Sequence, residues 1–160
     1  MPMDGFTLSY MRRELLAALQ GGRVDKVNQP ERDALGDTRV SLEDLMKNSD
    51  FITLHCPHTP QTEGMISREM IALMKSTAYL INTARGPVVD SKALAAALRS
   101  GEIAGAGVDV FETEPPIAED HPLFSAPNVV ATPHVAFATA ESMVKRAGIV
   151  MENIGCYLNG

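Results

Sequence analysis

Residues 78–111 read AYLINTARGPVVDSKALAAALRSGEIAGAGVDVF, and this stretch decides the fold. Ala78 to Asn82 is an apolar run of the length of a buried strand. Asp90 to Ser100 is rich in alanine and leucine, and Gly101 stands where a helix of that length would end. Gly105 to Phe111 is a second apolar run. Strand, helix and strand in succession form the unit that joins neighbouring parallel strands, because a parallel pair needs a long crossover.

The alternation continues outward on both sides. Ser41-Leu-Glu-Asp44 resembles a capping box, with Asp in place of the usual Glu, and predicts a short helix. Phe51-Ile-Thr-Leu-His55 is an apolar run between Asp50 and Pro57 and predicts a strand. Ser67 is suited to cap a helix carrying Met70, Ile71, Leu73 and Met74. Asn128 to Thr132 predicts a further strand. Ala138 to Leu158 has Met143, Ala147, Val150, Met151, Ile154 and Leu158 at helical spacing. Strands that are nearly all apolar imply a sheet covered on both faces, so the expected class is α/β: a doubly wound parallel sheet with helices on both faces. Between Gly101 and Asn128, Glu114-Pro115-Pro116 and His121-Pro122 point to an extended loop.

Residues 1–38 read differently from 39–160. Tyr10 to Gln20 predicts an amphipathic helix with Met11, Leu15, Leu16 and Leu19 on one side, stopped at Gly21-Gly22. Val24 to Val27 is a weak strand signal, because Asp25 and Lys26 interrupt it. Asn28-Gln29-Pro30 reads as a turn. The whole chain has 160 residues, 45% hydrophobic and 21% charged, which suits one domain with a proper core. A net charge of -6 argues against binding nucleic acid or an anionic membrane. No apolar run is long enough to cross a bilayer, and the first residues do not read as a signal peptide. Two cysteines, Cys56 and Cys156, are too few and too far apart for a disulfide framework or a zinc site. The expected compartment is the cytoplasm.

Three strand ends carry ionisable groups, and ligands of open parallel sheets bind beyond such ends. Arg85 follows the first run within NTARG, Glu114 follows Gly105 to Phe111 within DVFETEP, and His134 follows Asn128 to Thr132 within TPH. A histidine can exchange a proton near neutral pH, a glutamate can fix its tautomer, and an arginine offers a two-donor fork to a carboxylate. Each residue also has an ordinary reading: Arg85 as a surface or helix-end ion pair, Glu114 in a solvated loop, His134 as a satisfied loop histidine. Their joint placement is more specific than any one alone. His55-Cys56-Pro57-His58 holds three ligand types, but nothing completes a metal shell, so no metal is expected. Gly105-Ala106-Gly107 opens a strand rather than closing one and lacks a third glycine at Val110. It reads as small residues for close packing rather than as a phosphate cradle.

The runs VSLEDLMKNSDFITLHCPHTPQTEGMI, LINTARGPVVD, GAGVDVFETEP and HPLFSAPNVVATPH resemble, in order and spacing, the NAD-binding domain of the D-isomer-specific 2-hydroxyacid dehydrogenases. The resemblance covers roughly residues 39–160 and implies an incomplete Rossmann-like sheet. It implies NAD as cofactor, with NADP left open, a small 2-keto or 2-hydroxy acid as substrate, and hydride transfer between them. By position, Arg85 resembles the substrate-carboxylate arginine, Glu114 the partner of the catalytic histidine, and His134 the general acid/base. Asp109 resembles the aspartate at the nicotinamide carboxamide. Thr83, Ala84 and Ala136 fall at cofactor contacts, and His55, Cys56, Pro57 and Thr62 along the adenosine side. Ala136-Phe137 is similar to lactate-type members and implies a small aliphatic substrate.

The chain departs from that family at its start. It has no G-x-G-x-x-G motif, whose backbone N–H groups would hold the pyrophosphate, and Asn28 stands about where an acidic ribose ligand is expected. The substrate domain of the family has no counterpart in the 160 residues. Residues 1–38 are therefore read as a degenerate segment replacing the first elements, and the chain as truncated. An uncovered sheet would favour a homodimer. The alternative expectation is a catalytically silent relative that acts through protein contacts.

Overall fold

A computed structural model of the chain describes residues 24–27, 40–114 and 116–159. They form a five-stranded, all-parallel sheet with β1 at Val24–Val27, β2 at Phe51–Leu54, β3 at Tyr79–Asn82, β4 at Gly105–Val108 and β5 at Val129–Ala131. Helix α1 is Leu42–Asn48, α2 is Arg68–Ile71, α3 is Ser91–Ser100 and α4 is Ala140–Asn159. Two 3₁₀ turns, Gly86–Val88 and Pro122–Ser125, follow β3 and β4.

Two helix starts are made by the side chains expected, Ser41 and Ser67, and Asp90 caps the third. Ser41 accepts the Asp44 N–H at 3.1 Å, and its hydroxyl donates to Asp44 Oδ2 at 2.8 Å. Asp44 thus answers the cap through the hydroxyl. Ser67 accepts the Met70 N–H and Asp90 the Ala93 N–H, the latter at 3.0 Å. Helix α3 ends at Gly101. Helix α2 is shorter than the run through Met74 suggested, because the chain passes into turns after Ile71. Strand β4 stops at Val108, three residues before Phe111, and those residues belong to the site below.

Strand order follows chain order, β1 to β5, with every neighbour parallel. Right-handed crossovers that always step the same way lay their helices on the same face. Residues Ile52, Leu80, Ala106 and Val129 lie side by side on that face, with Leu54, Asn82 and Val108 in the next row. Ile52, Leu54 and Leu80 are fully buried, packed with Met46, Ile71, Leu94 and Ala97 from α1, α2 and α3. The opposite face carries Phe51, Thr53, Tyr79, Ile81, Gly105, Gly107 and Val130, of which Tyr79 and Val130 are exposed. Phe51 and Tyr79 stack there at 5.4 Å. Gly105 permits this, since a Cβ would come within 2.9 Å of the Tyr79 ring. The parallel α/β class is as the sequence predicts. Among the described residues the strands follow chain order, with α1 to α3 on one face. The helix predicted at Tyr10–Gln20 lies outside the described residues, as do the turn at 28–30 and most of the 1–38 segment. Val24–Val27 does form a strand, at the sheet edge.

Candidate active site

The carboxyl ends of β3, β4 and β5 bring three loops together. Asp109 follows β4 and is buried. Its backbone carbonyl accepts the His134 N–H at 2.8 Å. Its carboxylate accepts the Val135 and Ala136 N–H groups, each at 2.9 Å, and the Thr132 hydroxyl. His134 has φ 54, a left-handed backbone that costs a side-chain-bearing residue about 1–2 kcal/mol. Three consecutive N–H groups held by one aspartate offset that cost and fix the direction in which the imidazole leaves the loop. A carboxylate has about four acceptor positions, and three of Asp109's are used, which leaves one on Oδ2.

The His134 ring points Nδ1 at Glu114 Oε1, and the two are hydrogen-bonded. A carboxylate can only accept, so Nδ1 carries the hydrogen and a neutral ring keeps its lone pair on Nε2. His134 is half-buried and Glu114 exposed, so the pair opens to solvent. Both line a shallow depression with Asp109, Phe111, Ile117 and Pro133. Beside it, the Phe137 ring meets the His134 ring edge-on at 6.2 Å, and the Arg146 guanidinium of α4 lies 4.6 Å above Phe137. This is a cation–π contact.

Arg85 comes from the neighbouring loop and is not among the residues lining that depression. Its guanidinium is exposed and donates to the Ala84 carbonyl at 2.5 Å. Asn82, almost fully buried at the end of β3, organises this loop: Oδ1 accepts the Ala84 N–H and Nδ2 donates to the Arg85 carbonyl, both at 3.0 Å. Gly86 then packs against the β4 loop so closely that a Cβ would sit 1.9 Å from the Phe111 carbonyl carbon.

The remaining predicted positions lie on the β2 and β3 loops. His55 and Pro57 are exposed, and His55 Nε2 is 2.9 Å from Thr53 Oγ1. Cys56 is buried, and burial pushes its thiol up in pKa against a smaller backbone hydrogen bond. Thr62 donates to the Pro57 carbonyl at 2.7 Å and accepts the Thr59 N–H at 2.8 Å, closing the 57–62 loop. Thr83 is half-buried, Ala84 buried and Ala136 exposed. The structure therefore joins Asp109, Glu114 and His134 in one site, with Arg85, Thr83 and Ala84 on the adjoining loop. His55, Cys56, Pro57 and Thr62 lie apart from these, on the loop after β2. Among the described residues no group of histidine, cysteine and carboxylate side chains could hold a metal. Asn82, Gly86 and Thr132 escaped the sequence reading. Asn82 was the one legible in principle, as a polar residue closing an apolar strand.

A family model described as D-isomer specific 2-hydroxyacid dehydrogenase, NAD binding domain, matches residues 14–136. A glyoxylate reductase from Korarchaeum cryptofilum (strain OPF8) is 50% identical over 126 residues, which are 79% of this chain and 38% of that protein. Among solved structures, a D-lactate dehydrogenase from Aquifex aeolicus complexed with NAD and lactic acid matches with a TM-score of 0.72 and 37% identity. That match covers 83% of this chain and 45% of that one. An acyclic imino acid reductase in complex with NADPH and D-Arg matches with a TM-score of 0.75 and 36% identity, over 91% of this chain and 46% of that one. The chain thus spans under half the length of each of these proteins.

Proposed function

The chain belongs to the D-isomer-specific 2-hydroxyacid dehydrogenases, and from that premise we propose that it serves the transfer of hydride between a nicotinamide cofactor and a small 2-keto or 2-hydroxy acid. The observation that carries the reading is the Glu114–His134 pair, with Nδ1 engaged and Nε2 open at the carboxyl end of the sheet. NAD(H), when bound, supplies or accepts the hydride at the carbonyl carbon. His134, protonated on Nε2, gives its proton to the keto oxygen, and in the reverse direction takes the hydroxyl proton. Glu114 holds the ring in the required tautomer and stabilises the imidazolium. Arg85, once released from the Ala84 carbonyl, offers its planar fork to the substrate carboxylate. The free acceptor position on Asp109 suits an amide N–H of the cofactor. Thr83, Ala84 and Ala136 would flank the nicotinamide side, and His55, Cys56, Pro57 and Thr62 the adenosine side.

The relatives differ by name: a glyoxylate reductase, a D-lactate dehydrogenase complexed with NAD, and an acyclic imino acid reductase complexed with NADPH. We propose a small aliphatic keto acid, because Phe137 stands beside His134. A homodimer belongs to the same proposal, supported by the exposed apolar side chains of α4, and so does a reducing cytoplasmic setting, supported by two unpaired cysteines. The test is turnover of glyoxylate and pyruvate with NADH and NADPH, followed by loss of reduced-nicotinamide absorbance. Turnover that falls about 10²–10⁴-fold in His134→Gln supports the reading. Turnover unaffected by that change removes it.

A second reading is favoured by one observation, the absence of a G-x-G-x-x-G motif in the sequence. It is a catalytically silent relative that acts through protein contacts. Calorimetric titration with NAD and NADP separates the two: no heat favours the silent relative, and binding with turnover excludes it.

A further inference from the structure

The β4 loop carries a second glutamate–histidine pair. Glu112 Oε2 lies 3.0 Å from His121 Nε2. His121 Nδ1 accepts the Leu123 N–H at 3.4 Å and so caps the 3₁₀ turn Pro122–Ser125. Because Nδ1 is an acceptor there, the neutral ring carries its hydrogen on Nε2 and donates it to Glu112. Both ring nitrogens are used. His134 is arranged in the opposite sense, with Nδ1 given to Glu114 and Nε2 left open. Two pairs of the same chemistry therefore hold opposite tautomers, and only one ring has a nitrogen to spare for a substrate.

The surroundings of the second pair show what it holds. The His121 ring stands edge-on to Phe111 at 5.1 Å and tilts against Phe124 at 5.5 Å, and its side chain is only 12% exposed. Ser91, the first residue of α3, is near enough to Glu112 to help hold its carboxyl below the ordinary value. The Glu112 N–H group lies where Gly86, next to Arg85, makes its close approach, 2.3 Å from the place of a Cβ. The Arg85 loop, the start of α3 and the 3₁₀ turn thus meet at Glu112, two residues before Glu114.

We propose that Glu112 and His121 are a positioning pair, which clamps the β4 loop so that Glu114 faces His134 and the Arg85 loop stays beside it. The proposal rests on the catalytic reading above for its purpose, but its test does not. Long-range proton–nitrogen correlation spectra of the full chain read both rings directly. The unmodified chain is expected to show His121 as the Nε2–H tautomer and His134 as the Nδ1–H tautomer. In Glu112→Ala, His134 is expected to lose its single tautomer and exchange between both, while the amides of β2 and α1 keep their positions. His121→Gln keeps a donor where Nε2–H stands and should preserve the His134 signals. His121→Asn keeps only the capping acceptor and should not. If Glu112→Ala does not fold, the contrast between those two His121 variants decides. Where the chain turns over, Glu112→Ala should lower kcat about a hundredfold with KM for NADH unchanged. His134 signals unmoved in both Glu112→Ala and His121→Asn would overturn the clamp. Ring signals as expected in a chain without turnover would support the clamp and count against the catalytic reading alone.

Discussion

Asp109 shows how much of the site is a matter of backbone placement. The sequence places it inside the apolar run Gly105–Phe111, whereas β4 ends one residue before it, and the resemblance assigns it to the cofactor. What the sequence does not reveal is that the same carboxylate holds three groups of the His134 loop, since those contacts join residues more than twenty positions apart. Asp109→Ala should therefore destabilise the chain by about 1–3 kcal/mol in denaturant titration, beyond any effect on cofactor binding, because the Thr132 hydroxyl and the Val135 and Ala136 N–H groups lose their acceptor. Arg85, Glu114 and His134 were legible as candidates for a simpler reason: each stands just past an apolar run, and strand ends can be read from composition. His121 was not legible, because a histidine before proline in a loop looks the same whether its ring is solvated or clamped. Its partner gives a pH test. Burial raises the Glu112 carboxyl, but hydrogen bonds from Ser91, from its own backbone and from His121 outweigh this and hold it below the ordinary carboxylate value. A folded value below the unfolded one means the stabilisation is complete above the unfolded value and fades as pH falls through the folded one. Melting temperature followed into acid should drop less steeply in Glu112→Gln than in the unmodified chain.

Loops and helix ends set the geometry between elements. Gly86 is the tightest case: its Cα faces the Phe111 carbonyl with no room for another atom. Gly86→Ala must push the β3 and β4 loops apart, and a loss of about 3 kcal/mol is expected by chemical denaturation. The expected loss of turnover should exceed that of a surface change on α1 such as Lys47→Ala. Two helix caps were legible in advance, because Ser41 and Ser67 stand where the first turn needs an acceptor, while Asp90, read as the first helical residue, is the cap of α3. Strand lengths were less so. Val110 and Phe111 are as apolar as the strand before them and are buried, yet they lie in the loop. Hydrophobicity reports burial, and buried loop residues next to a site look like strand. Helix α4 shows the converse. Its helical spacing was plain, but its Met143, Val144, Val150, Met151 and Leu158 side chains are exposed, so its periodic pattern identified the element without identifying what it packs on. If α4 pairs two copies, the sedimentation coefficient should rise with concentration, and Met151→Glu should hold the chain as a monomer.

On the scale of the whole molecule, the parallel α/β class and the order of its elements were readable because strand–helix alternation admits few topologies. The direction of strand order was not, since it depends on which neighbour each strand pairs with, and nothing local in VDKV or FITL records that choice. The observed order, chain order from β1 to β5, has a bearing on how the chain assembles. Phe51, Tyr79, Gly105 and Val129 open successive strands roughly 25 residues apart, and loop-closure entropy changes only slowly with length, so each added strand meets a similar barrier. Among the described strands, none has to wait between two others for a later segment to arrive. Growth can proceed from β2 and β3 toward either rim, and fraying should run the same way in reverse. Amide hydrogen exchange should therefore be slowest at Ile52 and Leu80 and fastest along the two rim strands β1 and β5, with a graded profile between them rather than a single cooperative block.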